Sequence, residues 1–155
     1  MKHFMDFEEL LYTKVKDVKD PIRAHDTDAG IDFFIPNDFK EVTLKPGEDI
    51  NIESGIKTVV PRGYALIFKE KSGVALNKKL ICGAAVIDSD YRGELHLHLF
   101  NNGTENVTLC AGDKITQGLL VPVLLIKPKE ISMEVFDEYC NTERGEGGFG
   151  STGTK

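Results

Sequence analysis

Short runs of β-branched and aromatic residues, each bounded by Pro, Gly, Asn or Asp, recur along this 155-residue chain. These apolar runs cover residues 31–35, 56–60 and 64–68, and a longer one covers 114–126. Residues 93–100 alternate strictly, so that Leu95, Leu97 and Leu99 fall on one face of an extended chain. Short strands at this spacing predict an all-β domain, a jelly-roll-like barrel or sandwich of antiparallel strands.

Helical structure is expected in only two places. One is a short N-terminal piece around MDFEELL, and the other is one or two turns in SGVALNKK. Pro122 lies inside the longest apolar run and predicts an edge strand or a bulge there, because proline has no N–H to donate to a sheet. The composition breaks only at Asn141, so we predict a domain of residues 1–140 followed by a C-terminal arm of residues 141–155.

The charge and the cysteines limit the partners and the compartment. The net charge of −6 argues against a broad nucleic-acid or membrane surface, although it is compatible with a local site for a small anion. Three widely spaced cysteines without a CxxC pair disfavour a zinc site or a disulfide framework. Neither a signal peptide nor a run of about 18 apolar residues is found. We therefore expect a soluble cytoplasmic protein that binds neither nucleic acid nor membrane.

Two polar stretches beside predicted strands each allow two interpretations. HDTDAGIDFF places Asp26, Asp28 and Asp32 around a glycine, and these acids either cap turns of a loop or lie near a divalent cation. KSGVA follows the strand at 64–68. Ser72 there either caps a short helix or, with the lysine and free N–H groups, holds a phosphate.

A third stretch, GAAVIDSDYRGE at residues 83–94, combines small residues with two acids and Tyr-Arg-Gly. It is either a hairpin with a solvated, charged tip or a site in which Asp88 or Asp90 acts as a base and Tyr91 packs on a ligand. His96 and His98 follow as an HxH pattern. Without a third ligand nearby in sequence, a solvent-facing or interface pair is favoured over a metal site.

The stretch RGEGGFGSTG, at residues 144–153, contains five glycines among ten residues. It has no hydrophobic face, so its composition predicts a frayed tail. A single aromatic, a leading arginine and a Ser-Thr pair suggest a second interpretation. Glycines let a backbone wrap closely around phosphates, and the other side chains supply groups that contact a ligand.

Taken in order, these stretches resemble the five motifs of the trimeric dUTP pyrophosphatase (dUTPase) family across almost the whole chain. DAGIDF resembles the first motif, KSGVA the second, GAAVIDSDYRGE the third, GDKITQ at 112–117 the fourth and RGEGGFGSTG the fifth. The third and fifth match closely. The resemblance implies a jelly-roll subunit, a homotrimer with sites at subunit interfaces, and magnesium-assisted hydrolysis of dUTP to dUMP and pyrophosphate.

The resemblance also implies catalytic roles. Asp88 matches the acid that orients and deprotonates the attacking water, and Ser72 matches a catalytic position of the phosphate cradle. Asp32 matches the acid that supports Mg²⁺ indirectly, through water. The resemblance implies that the magnesium ion is held mainly by the three phosphates and by waters, and that it neutralises the charge that develops during attack.

The substrate contacts implied by the resemblance surround the base, the sugar and the phosphates. Tyr91 matches the ring that packs on the deoxyribose, and backbone groups of residues 82–86 match the base-pairing segment. In the arm, Phe149 would stack on uracil and Arg144 would reach the terminal phosphates. The implied substrate-binding residues are Lys71, Gly73, Cys82, Gly83, Ala84, Ala85, Val86, Tyr91, Gln117, Arg144, Phe149, Gly150, Ser151 and Thr152.

One departure from the family pattern lies in the second motif. The family usually has Pro-Arg-Ser-Gly, whereas this chain has Glu70 and Lys71 before Ser72 and Gly73. A lysine keeps the charge but loses the bidentate fork of arginine. This departure keeps open a nucleotide-responsive binding protein with lost or secondary catalysis. A dCTP deaminase-type relative on the same fold is the other alternative, although such relatives lack so close a fifth motif.

Overall fold

A computed structural model describes residues 9–147 of the chain. Within these residues the structure consists mainly of short β-strands. They are β1 Leu11–Lys14, β2 Ile31–Phe34, β3 Val42–Leu44, β4 Asp49–Glu53, β5 Ile56–Val59, β6 Tyr64–Glu70, β7 Leu80–Cys82, β8 Val86–Ile87, β9 His96–Asn101, β10 Val107–Leu109 and β11 Lys114–Pro122. A π-helical turn covers Val74–Lys78, and helix α1 covers Met133–Asp137.

The strands form antiparallel sheets. The largest sheet has the order β2-β11-β6-β8, a second has the order β4-β9-β7, and two strand pairs join β1 to β5 and β3 to β10. Every paired strand runs antiparallel to its neighbour. The predicted fold class, all-β with short antiparallel strands, is confirmed.

The core lies on the inward faces of these strands. Leu95, Leu97 and Leu99, which the alternation in the sequence places on one face, are at most 1% exposed. Phe33 of β2 packs edge-on against Phe68 of β6, with ring centroids 5.0 Å apart. Burying each such side chain stabilises the fold by about 1.5–3 kcal/mol, and β9 supplies two of them, Leu97 and Leu99.

The longest strand, β11, lies between β2 and β6 over only part of its length. The pairing with β2 covers Lys114 to Gly118, so Pro122, the last residue of β11, pairs with β6 alone and has the open side that the sequence predicts. A register shift in the pairing with β2 occurs between Lys114 and Thr116. Proline is tolerated at position 122 because no strand on the β2 side requires its missing N–H.

Residues 83–94 do not form the predicted hairpin. β8 pairs with β6 in the four-stranded sheet, whereas β9 pairs with β4 and β7 in the three-stranded sheet. The segment between β8 and β9 therefore connects one sheet to the other. A hairpin would require these two strands to pair with each other.

The helical elements agree in part with those predicted from the sequence. The turn at Val74–Lys78 confirms the helical segment predicted in SGVALNKK, while most of MDFEELL lies outside the described residues. Among residues 9–147, no helix has the length and apolar character needed to cross a membrane.

Among the described residues, 125–147 form a unit of their own, distinct from residues 9–124. Its helix α1 was not predicted. Ser132 caps this helix, because its hydroxyl accepts a hydrogen bond from the Val135 N–H. The proposed boundary between residues 140 and 141 stays a prediction.

Candidate active site

The connection from β8 to β9 contains a tight turn that presents Asp88 and Tyr91 at the surface. The Tyr91 N–H donates to the Asp88 carbonyl at 3.2 Å, and the Tyr91 hydroxyl donates to the Glu94 carbonyl at 2.8 Å. A Cβ on Gly93 would lie 2.2 Å from the Tyr91 hydroxyl oxygen, so only glycine fits beneath the ring. These contacts fix the ring and leave the Asp88 side chain exposed.

A cavity of about 460 Å³ lies beside this turn. Its lining includes Asp88 and Tyr91 from the turn, Ala84 and Val86 from the preceding segment, and His96 and His98 from β9. The structure thus brings together four of the residues predicted for catalysis, sugar contact and base recognition. A cavity of this volume is within the usual range of small-molecule sites.

The segment of residues 82–86 contributes Ala84 and Val86 to the lining of the cavity, and some of its backbone groups are already bonded. The Gly83 N–H donates to the His98 carbonyl at 2.9 Å, and the Ala85 carbonyl accepts from the Phe68 N–H at 2.8 Å. Among the described residues, the Ala84 carbonyl has no hydrogen-bond partner. Ala84, which lines the cavity, therefore has a free backbone acceptor.

Asp32 lies between two lysines. It is 3% exposed, the Lys71 ammonium donates a hydrogen bond to its Oδ1, and the Lys114 ammonium lies 3.0 Å from its Oδ2. Burial alone would raise the pKa of the Asp32 carboxyl, but the hydrogen bond from Lys71 and the nearby charge of Lys114 outweigh burial and lower that pKa. Asp32 is therefore ionised at neutral pH, and Lys71 is held by a carboxylate.

Gln117 belongs to the fourth motif stretch and contacts the first and second stretches. In β11 it is in register with Asp32 of β2 on one side and with Lys69 of β6 on the other. Its Nε2 donates to the Glu70 carbonyl at 3.0 Å, and a Cβ on Gly30 would lie 2.1 Å from its Oε1. The side chain therefore holds the two neighbouring stretches in place.

Ser72 and Gly73 lie at the start of the π-helical turn and are exposed. The prediction that Ser72 caps a short helix is wrong. The N-cap residue of the turn is Gly73, and no side chain makes a capping hydrogen bond there. The Ser72 hydroxyl thus lies at the surface without a capping function.

Cys82 is half-buried, with its Sγ 3.3 Å from Thr116 Oγ1. Burial raises the pKa of the Cys82 thiol, which disfavours the nucleophilic thiolate. Within residues 9–147, no group of three or more His, Cys, Asp or Glu side chains is arranged to hold a metal ion.

Of the arm residues predicted to contact the substrate, only Arg144 lies in the part of the chain that the structure describes. Arg144 is exposed, and its Nε donates to the Gly147 carbonyl at 2.7 Å. Phe149, Gly150, Ser151 and Thr152 lie outside the described residues.

The contacts of two residues in the site were not predicted from the sequence. His98 bonds to the base-recognition segment and to Asp49, and Lys114 pairs with Asp32. The only signals were the HxH pattern and the lysine within GDKITQ, and neither identifies its partner.

Comparison with known proteins gives one family. A sequence model of the dUTPase family matches residues 16–153. A deoxyuridine 5'-triphosphate nucleotidohydrolase from Clostridium novyi (strain NT) is 38% identical over 135 residues, which cover 86% of this chain and 89% of that protein. One from Fowlpox virus (strain NVSL) is 36% identical over 149 residues, covering 96% of this chain and 99% of the relative.

Two solved dUTPase structures superpose on this chain. The Staphylococcus bacteriophage 80alpha dUTPase with dUPNHPP superposes with a TM-score of 0.80 at 26% identity, covering 96% of this chain and 100% of that chain. The dUTPase from phage phi11 of S. aureus superposes with a TM-score of 0.72 and 23% identity, covering 79% of this chain and 96% of its own.

Proposed function

The chain belongs to the dUTPase family, and on that premise we propose that it hydrolyses dUTP to dUMP and pyrophosphate. One observation carries the proposal: a single cavity is lined by Asp88, Tyr91 and the small-residue segment around Ala84. An acid, an aromatic ring and unpaired backbone groups are the parts that water activation, sugar contact and base recognition require. By removing dUTP, this reaction limits uracil in DNA and supplies dUMP for thymidylate synthesis.

Uracil is selected by the backbone of residues 82–86. A backbone N–H of this segment suits a uracil carbonyl oxygen, and the free carbonyl of Ala84, which lines the cavity, suits the uracil N3–H. Cytosine presents the opposite pattern on this edge and would leave buried groups unpaired. Thymine differs from uracil by a methyl group and is excluded by the close backbone, so enlarging Ala84 by Ala84→Val should weaken dUMP binding.

Asp88 is the general base. Its carboxylate is exposed at the cavity, where it orients a water for attack on the α-phosphorus and accepts a proton from it. Attack breaks the bond between the α-phosphorus and the oxygen that bridges to the β-phosphate, which releases pyrophosphate. No covalent enzyme intermediate is required, so positioning and charge stabilisation supply most of the acceleration.

The phosphates are held by the second and fourth motif stretches. The exposed Ser72 hydroxyl and the Gly73 N–H cradle the α- and β-phosphates, while Lys71 contributes positive charge. Gln117 supports this cradle through its bond to the Glu70 carbonyl. Tyr91 packs on the deoxyribose and leaves no space for a 2'-hydroxyl, which would exclude UTP.

Asp32 fits a magnesium ion held through water. Its Oδ2 is buried and makes no hydrogen bond of good geometry within the described residues, so it retains a lone pair for an ordered water. When bound to the triphosphate, Mg²⁺ neutralises charge that develops during attack. Lys71 and Lys114 keep the Asp32 carboxyl ionised and oriented for this role.

The active form is a homotrimer in which the arm of one subunit closes over a nucleotide at an interface. Exposed apolar side chains within residues 9–124 support an association surface, since Leu76 is 69% exposed and Leu124 is 88% exposed. In the arm, Phe149 stacks on uracil, Arg144 binds the terminal phosphates, and Ser151 and Thr152 donate hydroxyl hydrogen bonds alongside Gly150. The enzyme is cytoplasmic, a location that its three unpaired cysteines support.

Pyrophosphate release by the purified protein tests this function. With Mg²⁺ present, dUTP, dCTP, dTTP and UTP are offered separately, and release from dUTP alone is expected. A chain ending at Tyr139 should lose most of this activity, and Asp88→Asn should lose it about 10²–10⁴-fold while staying folded. Ammonia release from dCTP would identify a deaminase instead, and tight dUTP binding without release would identify a nucleotide-responsive binding protein.

A further inference from the structure

His98 connects the wall of the base cavity to a neighbouring strand. The Ala84 N–H donates to His98 Nδ1 at 3.0 Å, and the Gly83 N–H donates to the His98 carbonyl at 2.9 Å. On the opposite side of the ring, His98 Nε2 lies 2.9 Å from Asp49 Oδ2. One residue therefore bonds two consecutive peptide groups of the base-recognition segment and a carboxylate of β4.

These contacts determine the tautomer of the ring. A backbone N–H only donates, so His98 Nδ1 must be the unprotonated, accepting nitrogen. The ring proton of the neutral imidazole then lies on Nε2 and is donated to Asp49. The carboxylate selects this tautomer, as second-sphere carboxylates commonly do for histidines.

Packing restricts the ring as well. The His98 ring is tilted on Phe100 with centroids 4.7 Å apart, and its side chain is only 21% exposed. A Cβ on Gly83 would lie 2.3 Å from His98 Nδ1 and 2.6 Å from Phe100 Cε2, so the ring lies directly against the backbone. The absence of a side chain at Gly83 is what allows this approach.

We propose that His98 is a positioning residue that sets base selectivity by holding Gly83 and Ala84 against the cavity. This inference rests on the proposed function, because it assigns the segment of residues 82–86 to uracil. By accepting from the Ala84 N–H, the ring fixes a peptide group of a residue that lines the cavity. A backbone held in this way should distinguish bases by their donors and acceptors and by a 5-methyl group, because it cannot move to accommodate the wrong base.

Removing the Nδ1 acceptor while keeping the volume of the side chain tests this proposal. In His98→Leu, the Ala84 N–H loses its partner, and the segment is expected to gain freedom. His98→Asn places a side-chain oxygen close to the position of Nδ1 and should restore the bond. His25→Leu makes the same chemical change at an exposed loop residue that contacts neither the cavity nor this segment, and it serves as the matched control.

The first readout uses the free protein at neutral pH. ¹⁵N NMR of the imidazole should show the His98 proton on Nε2, and exchange of the Ala84 amide should be at least tenfold faster in His98→Leu than in the wild type or His25→Leu. His98→Asn should return the exchange rate most of the way. A proton on Nδ1, or unchanged Ala84 exchange, would overturn the proposal.

The second readout is equilibrium binding of dUMP, dCMP and dTMP, which requires no turnover. We expect the preference for dUMP to fall about tenfold or more in His98→Leu and to recover in His98→Asn. Equal weakening for all three nucleotides would indicate a merely structural role and refute the selectivity claim. Because binding is measured without hydrolysis, a wild type that prefers dUMP but never cleaves dUTP would refute the proposed reaction and leave this inference standing.

Discussion

The Tyr91 hydroxyl donates a 2.8 Å hydrogen bond to the carbonyl of Glu94, three residues later in the same turn. The ring is thereby held beside the cavity with Gly93 beneath it, at a spacing that leaves no room for a Cβ. A ring fixed before substrate arrives loses little conformational entropy on binding. This part of the site is therefore preorganised for the substrate.

Gly93→Ala should displace the Tyr91 ring, because the new Cβ would lie 2.2 Å from the hydroxyl oxygen. A displacement of about 1 Å at a substrate-positioning group lowers kcat/KM about 10²-fold. Steady-state kinetics with dUTP and UTP measure the effect, and discrimination against UTP should fall as well. Tyr91→Phe, which removes only the hydroxyl, should have a much smaller effect; equal activity of Gly93→Ala and the wild type would contradict the assignment.

Lys71→Arg should retain or raise turnover. Arginine keeps the positive charge next to Asp32 and adds the planar fork that suits carboxylate and phosphate groups. Lys71→Met, the uncharged comparison, should lower kcat/KM strongly. A large loss in Lys71→Arg, measured as pyrophosphate release with dUTP, would mean that the site is built specifically around the compact ammonium of lysine.

Asp32→Asn should destabilise the fold in a pH-dependent way. The pKa of this carboxyl lies below its ordinary value of 3.8, so its ionised form is favoured by folding. That stabilisation is fully present above the ordinary pKa and is lost as the pH falls through the lowered pKa of the folded state. Denaturant unfolding should show wild type more stable than Asp32→Asn by about 1–3 kcal/mol at pH 7.

The same comparison at lower pH provides the control for Asp32. The difference in unfolding free energy should persist down to about pH 4 and shrink only below it. A difference that is constant down to the acid limit would assign the destabilisation to packing rather than to the carboxylate and its two lysines.

Phe149→Ala should raise the KM for dUTP about tenfold to a hundredfold, because stacking of an aromatic ring on a base is worth about 1–3 kcal/mol. Phe149→Tyr keeps the ring and should behave like the wild type. The comparison is made by steady-state kinetics in the presence of Mg²⁺. Unchanged KM in Phe149→Ala would remove the arm from base recognition.

The strands that the sequence predicted, such as β2, β6 and β9, contain an apolar run or a clear alternation. The three-residue strands β3, β7 and β10 were missed although each buries a leucine, because three residues are too few to show a pattern. β1 was missed because all four of its residues are exposed, and α1 was missed because it buries no residue. Hydrophobic periodicity in a sequence indicates which side chains are buried, so an element without a buried face shows no such periodicity.

The site was predictable where its residues are close in sequence, as with Asp88 and Tyr91. The grouping of Asp32, Lys71 and Lys114 depends instead on β11 lying between β2 and β6. Strand order and register are set by contacts between residues far apart in the chain. A single sequence contains no direct signal for them.

The connection from β8 to β9 also has a mechanical consequence. Because β8 belongs to the four-stranded sheet and β9 to the three-stranded sheet, residues 88–95 link the two sheets. Leu95 at the end of this link is 1% exposed and also lines the cavity, so the link is anchored in the core beside the site. The positions of Asp88 and Tyr91 therefore depend on both sheets, and a core substitution in either sheet can alter the site without touching it.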